Sequence, residues 1–287
     1  ASAREPRQQR THGGWRRHCS SYKSNEGRSQ MSNSLHPWVS GKNILVTGAG
    51  GSIGSYLCEQ LCMFQPRKMV LLNLTESGLV QIQRRLRPQE GTVVQNVLGS
   101  VTDEALLARL LPGTDVVVHA AAHKHVPLGE SCPAAFVSTI VGGTRTLCLA
   151  ARRAGIQRTV VISTDKAVHP SSIMGAAKFV AERLVSGLGP GFLVTRFGNV
   201  LDTSGSVLPL WREQIARGGP VTVTDPACTR YFMSIDDACA LILEILAFPV
   251  DHGTFVFDMS EPRNMLAMAE ALIAESGQPC LIQTTGL

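Results

Sequence analysis

Three groups of residues in this sequence are of types and at spacings that could do chemistry. In Ser163-Thr-Asp-Lys-Ala-Val-His-Pro170, Asp165 and Lys166 set a carboxyl beside an amine, two groups that can give and take protons when their pKa values are tuned. Lys166 could act as a base only when neutral, which burial or a nearby positive charge would favour; the alternative is an ordinary surface Asp-Lys pair. Further on, Met174 and Lys178 are four apart and share one helix face. Upstream, Thr47-Gly-Ala-Gly-Gly-Ser-Ile-Gly54 carries Gly48, Gly51 and Gly54 between an apolar run and an amphipathic one. In that context the first glycine permits a tight turn and the second lets backbone approach a pyrophosphate. The third allows close helix–strand packing, with the helix N-terminus facing the negative charge.

The elements needed to position these residues are legible. Asn43–Thr47 is an apolar strand, followed by the glycines and a helix from about Ser55 to Phe64. Lys68–Asn73 and Thr92–Val97 are strands two and three, and Thr102-Asp-Glu opens a helix with good capping chemistry. Asp115–His119 and Arg158–Ser163 are continuous apolar strands, the pattern of a sheet covered on both faces. The alternation predicts an α/β fold, a doubly wound parallel sheet of Rossmann type with a smaller C-terminal substrate lobe. The boundaries expected are a basic arm over 1–40, a dinucleotide-binding domain over 41–198 and the lobe over 199–287. Asp165-Lys166 then falls at the C-terminal end of strand five, where such sheets place ligands. An acid is expected at the end of strand two to hold the adenosine ribose, but Asn73 stands there, with Glu76 three residues on. Losing that carboxylate removes repulsion against a 2′-phosphate, so both NAD and NADP stay open as cofactors.

Composition excludes several classes. The net charge of +5 lies wholly in residues 1–30, with seven basic and two acidic residues. The rest is neutral, so the folded part offers no electrostatic footprint for nucleic acid. The basic arm has no apolar period and is expected to be mobile chain. Eight cysteines show neither CxxC pairs nor His/Cys zinc spacing, so no metal site is expected and reduced, buried thiols of a cytoplasmic protein are the reading. The apolar run Ala238–Val250 is too short to span a bilayer and is interrupted by Glu244.

Several ordered strings together resemble the UDP-N-acetylglucosamine 4,6-dehydratases of polysaccharide and glycan biosynthesis, extended short-chain dehydrogenases/reductases, in the branch with methionine where the superfamily's Tyr-x-x-x-Lys has tyrosine. The strings are TGAGGSIGS, HAAAHKHVPL (His119–Leu128), ISTDKAV with MGAAK, RFGNVLDTSGSVLPLW (Arg196–Trp211), and GGPVTVTDP followed by TRYFM (Gly218–Met233). The resemblance implies a NAD(P)-dependent lyase that oxidises C4 of a UDP-sugar, eliminates water across C5 and C6, and regenerates its cofactor every turnover; a nucleotide-sugar epimerase and a catalytically weak NAD(P)-binding protein are the alternatives. It assigns Asp165 as acid to the leaving 6-hydroxyl and Lys166 as base at C5, supported by Thr164 and by Lys178, which holds the nicotinamide ribose. Met174 is either a liner of that site or a core-filling residue. For the proton of the 4-hydroxyl, Asp165, a water and Lys178 acting through a water all stand as candidates.

By the same resemblance, Gly48, Gly51, Ser52, Ile53 and Gly54 cradle the pyrophosphate. Asn73, Glu76, Ser100, Val101 and Ala120 line the rest of the cofactor. Lys124 and His125 face substrate, with a structural hydrogen-bonding role the alternative for the histidine. Asn199, Ser204 and Ser206 hold the nucleotide sugar, and Arg230 its diphosphate. Ser100 stands where members commonly carry aspartate, and an Arg-Pro-Gly-Glu-Lys segment that usually follows is not in this sequence, which implies either a C-terminal truncation or a degenerate member with weakened substrate binding. The membrane portion of the longer members is also not in it. Self-association is expected by analogy.

Overall fold

The computed structural model describes residues 35–203, 205–259 and 261–286, together with the backbone of 9–11 and 14–17. Seven parallel strands form its central sheet: β1 (Asn43–Thr47), β2 (Lys68–Asn73), β3 (Val93–Leu98), β4 (Val116–His119), β5 (Arg158–Thr164), β6 (Phe192–Phe197) and β7 (Gly253–Phe257). Their order is β3-β2-β1-β4-β5-β6-β7. The order reverses at β1, so a crevice opens outside the carboxyl ends of β1 and β4. The apolar strands are buried because helices cover both faces; Ile44, Leu45, Val46 and Val116–Val118 are fully enclosed.

The helices of this unit are α1 (Ser52–Cys62), α2 (Glu76–Arg85), α3 (Glu104–Leu110), α4 (Val126–Ser131), α5 (Pro133–Arg153) and α6 (Ile173–Ser186). Helix α1 starts three residues before the position expected from the sequence, because it begins directly at the glycine loop. Asp103 caps α3 by accepting from Leu106 N at 2.9 Å, a bond that satisfies one of the helix's orphan donors. Helix α5 is long and apolar enough to cross a membrane by length and composition, unlike the run at 238–250. Its Leu147, Cys148 and Ala151 instead pack on Leu45 and Val117, and its Phe136 and Ile140 on Met174 and Ala177. One face of the helix is thus packed in the core, while residues 133–135, 137 and 138 are exposed.

The expectation of a mobile arm over 1–40 needs correction where residues are described. Gln9–Thr11 and Gly14–Arg17 pair antiparallel, and the latter adds a parallel strand beside β7, whose edge would otherwise be open. Residues 35–39 are helical, with Leu35 and Val39 fully buried; four apart, they face the same way.

The chain divides into two units, one running to Phe197 and resuming over Cys239–Asp258, the other comprising Gly198–Ala238 and Met259–Leu287. In the second unit, helices Val207–Ala216 and Met265–Ser276 enclose Trp211, Ile215, Val221, Val223 and Ala269. Trp211 Nε1 donates to Thr222 O at 2.8 Å. Three short strand pairs complete it: Val221–Val223 with Ile282–Thr284, Asn199–Val200 with Phe232–Met233, and Thr229–Arg230 with Arg263–Asn264.

Candidate functional site

The glycine loop has the shape of a dinucleotide cradle. Gly48 has φ +67°, and a Cβ there would lie 2.6 Å from Ala121 N, against the backbone that follows β4. A Cβ on Gly54 would lie 2.1 Å from Gly48 O, so no side chain fits between loop and helix. Gly51 meets only Gly48 O at 3.2 Å, leaving its outer side open to a ligand. Ser52 and Ile53 open α1, whose first turn has no acidic residue and no side-chain cap. An uncapped helix N-terminus of that kind suits an anion, so these residues fit a pyrophosphate.

At the end of β2, Asn73 is almost buried. Its Oδ1 accepts from Gly50 N at 3.1 Å, and its Nδ2 donates to Thr75 O at 2.9 Å and Thr75 Oγ1 at 3.0 Å. Gly50 and Gly78, which sequence reasoning did not single out, make this possible: a Cβ on Gly50 would sit 2.5 Å from Gly78 Cα, and one on Gly78 would sit 2.5 Å from Asn73 Nδ2. Glu76 lies in the first turn of α2. Ser100 Oγ pairs with Thr102 Oγ1 at 2.7 Å and accepts from Thr102 N at 3.1 Å. Val101 is buried against Gly143 of α5, and Ala120 N donates to Thr47 O at 3.0 Å.

The carboxyl and amine singled out in the sequence meet. Asp165 Oδ1 accepts from Lys166 Nζ at 3.0 Å and from Thr164 Oγ1 at 2.8 Å. Thr164 caps the short turn Asp165–Ala167, so the hydroxyl holds both the backbone and the carboxylate. The side chains of Lys166 and Asp165 are 29% and 20% exposed; they are neither core residues nor a loose surface pair. Gly175 lets α6 press against this turn, since a Cβ there would lie 2.5 Å from Lys166 O. One turn further along, Lys178 Nζ donates to Ile162 O of β5 at 2.7 Å. Burial pushes its pKa down to about 8, with the Glu182 carboxylate opposing that fall. Of the two roles open for Met174, the packing is that of a core residue: it is 5% exposed among Phe136, Ile140, Ala177 and Ala181.

Behind these groups lie two buried networks not foreseen from the sequence. Glu182 takes a hydrogen bond from Ser163 Oγ and a two-pronged ion pair from Arg196, whose Nε donates to Oε1 at 2.8 Å. It thereby joins α6, β5 and β6 next to the Asp165 turn. His119, at the end of β4, is bonded to Thr47 Oγ1 at 2.7 Å and Thr144 Oγ1 at 3.0 Å. The four-residue step from Lys178 to Glu182 was the one signal available for the first network.

Lys124 and His125 are exposed before α4. His125 stands at the N-cap position of α4 and makes no side-chain cap there. In the second unit, Asn199 lies in the pair with Phe232 and its N–H donates to Tyr231 O at 2.9 Å. Ser206 precedes helix Val207–Ala216 with its buried Oγ unpartnered among the described residues. Arg230 Nη1 donates to Thr229 O at 2.9 Å, and Arg230 lies opposite Arg263. Ser204 lies outside the described residues.

Residues 44–287 match the model of a family described as polysaccharide biosynthesis protein. The probable polysaccharide biosynthesis protein EpsC of Bacillus subtilis is 43% identical over 247 residues, which is 83% of this chain and 41% of that protein. A UDP-N-acetylglucosamine 4,6-dehydratase (inverting) of Campylobacter jejuni is 31% identical over 226 residues, 76% of this chain and 66% of that one. The solved structure of DesIV, a dTDP-glucose 4,6-dehydratase from Streptomyces venezuelae with NAD bound, superposes with a TM-score of 0.75 at 24% identity, over 84% of each chain. The chain thus spans about two fifths of the length of EpsC. With its glycine loop, its strand order and this match over nearly all of the described fold, the chain belongs to the polysaccharide biosynthesis protein family.

Proposed function

We propose that this chain is a NAD(P)-dependent nucleotide-sugar 4,6-dehydratase, acting in the cytoplasm on UDP-N-acetylglucosamine or a close relative and supplying a 4-keto-6-deoxy sugar for surface polysaccharide or glycan. Self-association and a diphosphate role for Arg230 belong to the same reading. The observation that carries it is the Asp165–Lys166 contact of 3.0 Å, braced by Thr164 at the carboxyl end of β5. Elimination needs an acid at the C6 oxygen and a base at C5, and this pair can provide both without taking a proton from solvent. Transfer of one proton from the Lys166 ammonium to the Asp165 carboxylate leaves a neutral amine and a carboxylic acid. The amine then removes the C5 proton as the acid protonates the departing 6-hydroxyl, which leaves as water. The pair is thereby returned to its charged form. A bound nicotinamide would supply the redox change at C4 and its reversal at C6, so no external oxidant is consumed. Lys178, on the next helix, is suited to the nicotinamide ribose.

The test is incubation of the purified protein with UDP-N-acetylglucosamine and catalytic NAD or NADP, read by mass spectrometry. A product lighter by one water (~18 Da) with no net reduced cofactor is the expected result. Asp165→Asn should slow the reaction by at least about a hundredfold, since an amide cannot act as the acid, while cofactor binding persists. A product of unchanged mass would replace this reading with an epimerase.

A further inference from the structure

We propose that Glu182 is a positioning residue for the elimination: anchored by Arg196, it holds Ser163 and thereby fixes the turn that carries Asp165 and Lys166. The inference rests on the dehydratase reading above and adds to it a residue that acts only through that turn. β5 outruns its neighbour on one side. Its pairing with β4 ends at Val161 opposite His119, whereas its pairing with β6 continues to Thr164 opposite Phe197. Among the described residues, 162–164 therefore have a strand beside them on the β6 side only, and they lead directly into Asp165. Helix α6 supplies further support. Lys178 Nζ donates to Ile162 O at 2.7 Å, and the next residue of the strand, Ser163, donates its hydroxyl to Glu182 Oε1. Lys178 and Glu182 are four apart on one helix face, so the helix takes hold of two consecutive strand residues. From Ser163 the chain passes straight to the chemistry. Thr164 Oγ1 donates to Asp165 Oδ1 at 2.8 Å, and Lys166 Nζ donates to the same oxygen at 3.0 Å.

Glu182 is suited to this role as a carboxylate. Its side chain is 4% exposed, and its two oxygens take three donors: Ser163 Oγ and Arg196 Nε, the latter at 2.8 Å, on Oε1, and Arg196 Nη2 on Oε2. The forked guanidinium fixes the plane of the carboxylate, and with it the direction in which Oε1 accepts from Ser163. Stability alone does not account for the pair. Desolvating two charges costs about as much as their attraction returns, and apolar residues of similar volume fill a core as well or better. An ion pair does supply a defined orientation, and here the oriented group holds the strand two residues before the acid. Acid and base must reach the C6 oxygen and the C5 hydrogen of one bound sugar together, and a displacement of about 1 Å can cost about a hundredfold in rate.

Ser163→Ala in the full chain is the variant to test, because it releases the strand end while the Glu182–Arg196 pair stays in place. Glu182→Ala would leave a mostly buried guanidinium unpaired, and Glu182→Gln would also remove the charge that acts on Lys178. With UDP-N-acetylglucosamine and NAD, kcat of Ser163→Ala should fall at least about tenfold while KM changes by less than about twofold, as when only the transition state loses support. Oxidation at C4 precedes elimination, so stopped-flow absorbance should show reduced nicotinamide accumulating in the variant and not in the unaltered chain. A general loosening of the fold would slow both steps and would not produce that signal. In the ligand-free variant, hydrogen exchange should quicken at Lys166 and Val168, whose amides close the turn, and stay unchanged in β1. An unaltered kcat, a slowed reaction without accumulation of reduced nicotinamide, or unchanged exchange at the turn would each overturn the proposal and leave the dehydratase reading intact. An unaltered chain that removes no water from the sugar would remove that reading, and this proposal with it.

Discussion

His119 is a histidine that the fold keeps uncharged. It is buried, both ring nitrogens are bonded to threonine hydroxyls, and burial together with the nearby Lys178 charge lowers its pKa from 6.5 to about 3. The sign of the consequence follows from linkage. The unfolded chain takes up a proton near pH 6.5 that the folded chain refuses until about pH 3, so acid favours unfolding. The stability contributed by the neutral imidazole is complete above about pH 6.5 and should be lost below it, at up to about 1.4 kcal/mol per pH unit. Denaturant unfolding at pH 7 and pH 5, with the ring protons of His119 followed by NMR, checks this. A ring that titrates near 6.5 in the folded protein would sink it. The residue was quoted in the sequence only as part of a string, because both partners that define it, Thr47 and Thr144, lie 72 and 25 positions away.

Elements carry the same lesson about what a sequence exposes. The glycine loop and the Asp165 turn are local, and their geometry follows from residues within a few positions, so both were legible. The side chain of Met174 was ambiguous because a four-residue step gives the helix face but not what that face meets. The end of helix Ile235–Ala247 was not legible at all. Its final carbonyls are received by Arg158 at the start of β5, whose Nη1 donates to Leu246 O at 3.2 Å and Phe248 O at 2.7 Å. The guanidinium also lies 4.1 Å from the ring of Trp38, an attraction that strengthens when both partners are shielded from water. A cation at a helix C-terminus offsets orphan carbonyls and the macrodipole together. Arg158→Ala should therefore lower unfolding free energy by about 3 kcal/mol, measured in urea. Dinucleotide affinity should hardly change, because Arg158 opens β5 and the cofactor segments lie at the carboxyl ends. A loss below about 0.5 kcal/mol, the range of an ordinary surface substitution, would show that the cap and the Trp38 contact contribute nothing.

At the scale of the sheet, burial is graded across the strand order, and protection against hydrogen exchange should be graded with it. β1, β4 and β5 are central, and the side chains of β1 and β4 at Ile44–Val46 and Val116–Val118 are fully enclosed. β3 is an edge, with Val93 and Leu98 58% and 60% exposed. Among the described residues its only neighbour in the sheet is β2, so it can leave without disturbing any other strand pairing. Native proteins open locally where few apolar contacts hold a segment and open globally where the core does. Amides of β1 and β4 should then exchange only with the free energy of whole-unit unfolding, and those of β3 several kcal/mol sooner. Binding a dinucleotide should raise protection on both strands by different routes. The central strands should gain through mass action on the whole fold, and the turns after β2 and β3 through direct contact at Asn73 and Ser100. Exchange mass spectrometry with and without NAD separates the two, since the first effect scales with ligand concentration as RT ln(1 + [L]/Kd). Uniform protection across β1 and β3 in the free chain would mean that the sheet behaves as one cooperative block, and that exposure of Val93 and Leu98 costs the edge nothing.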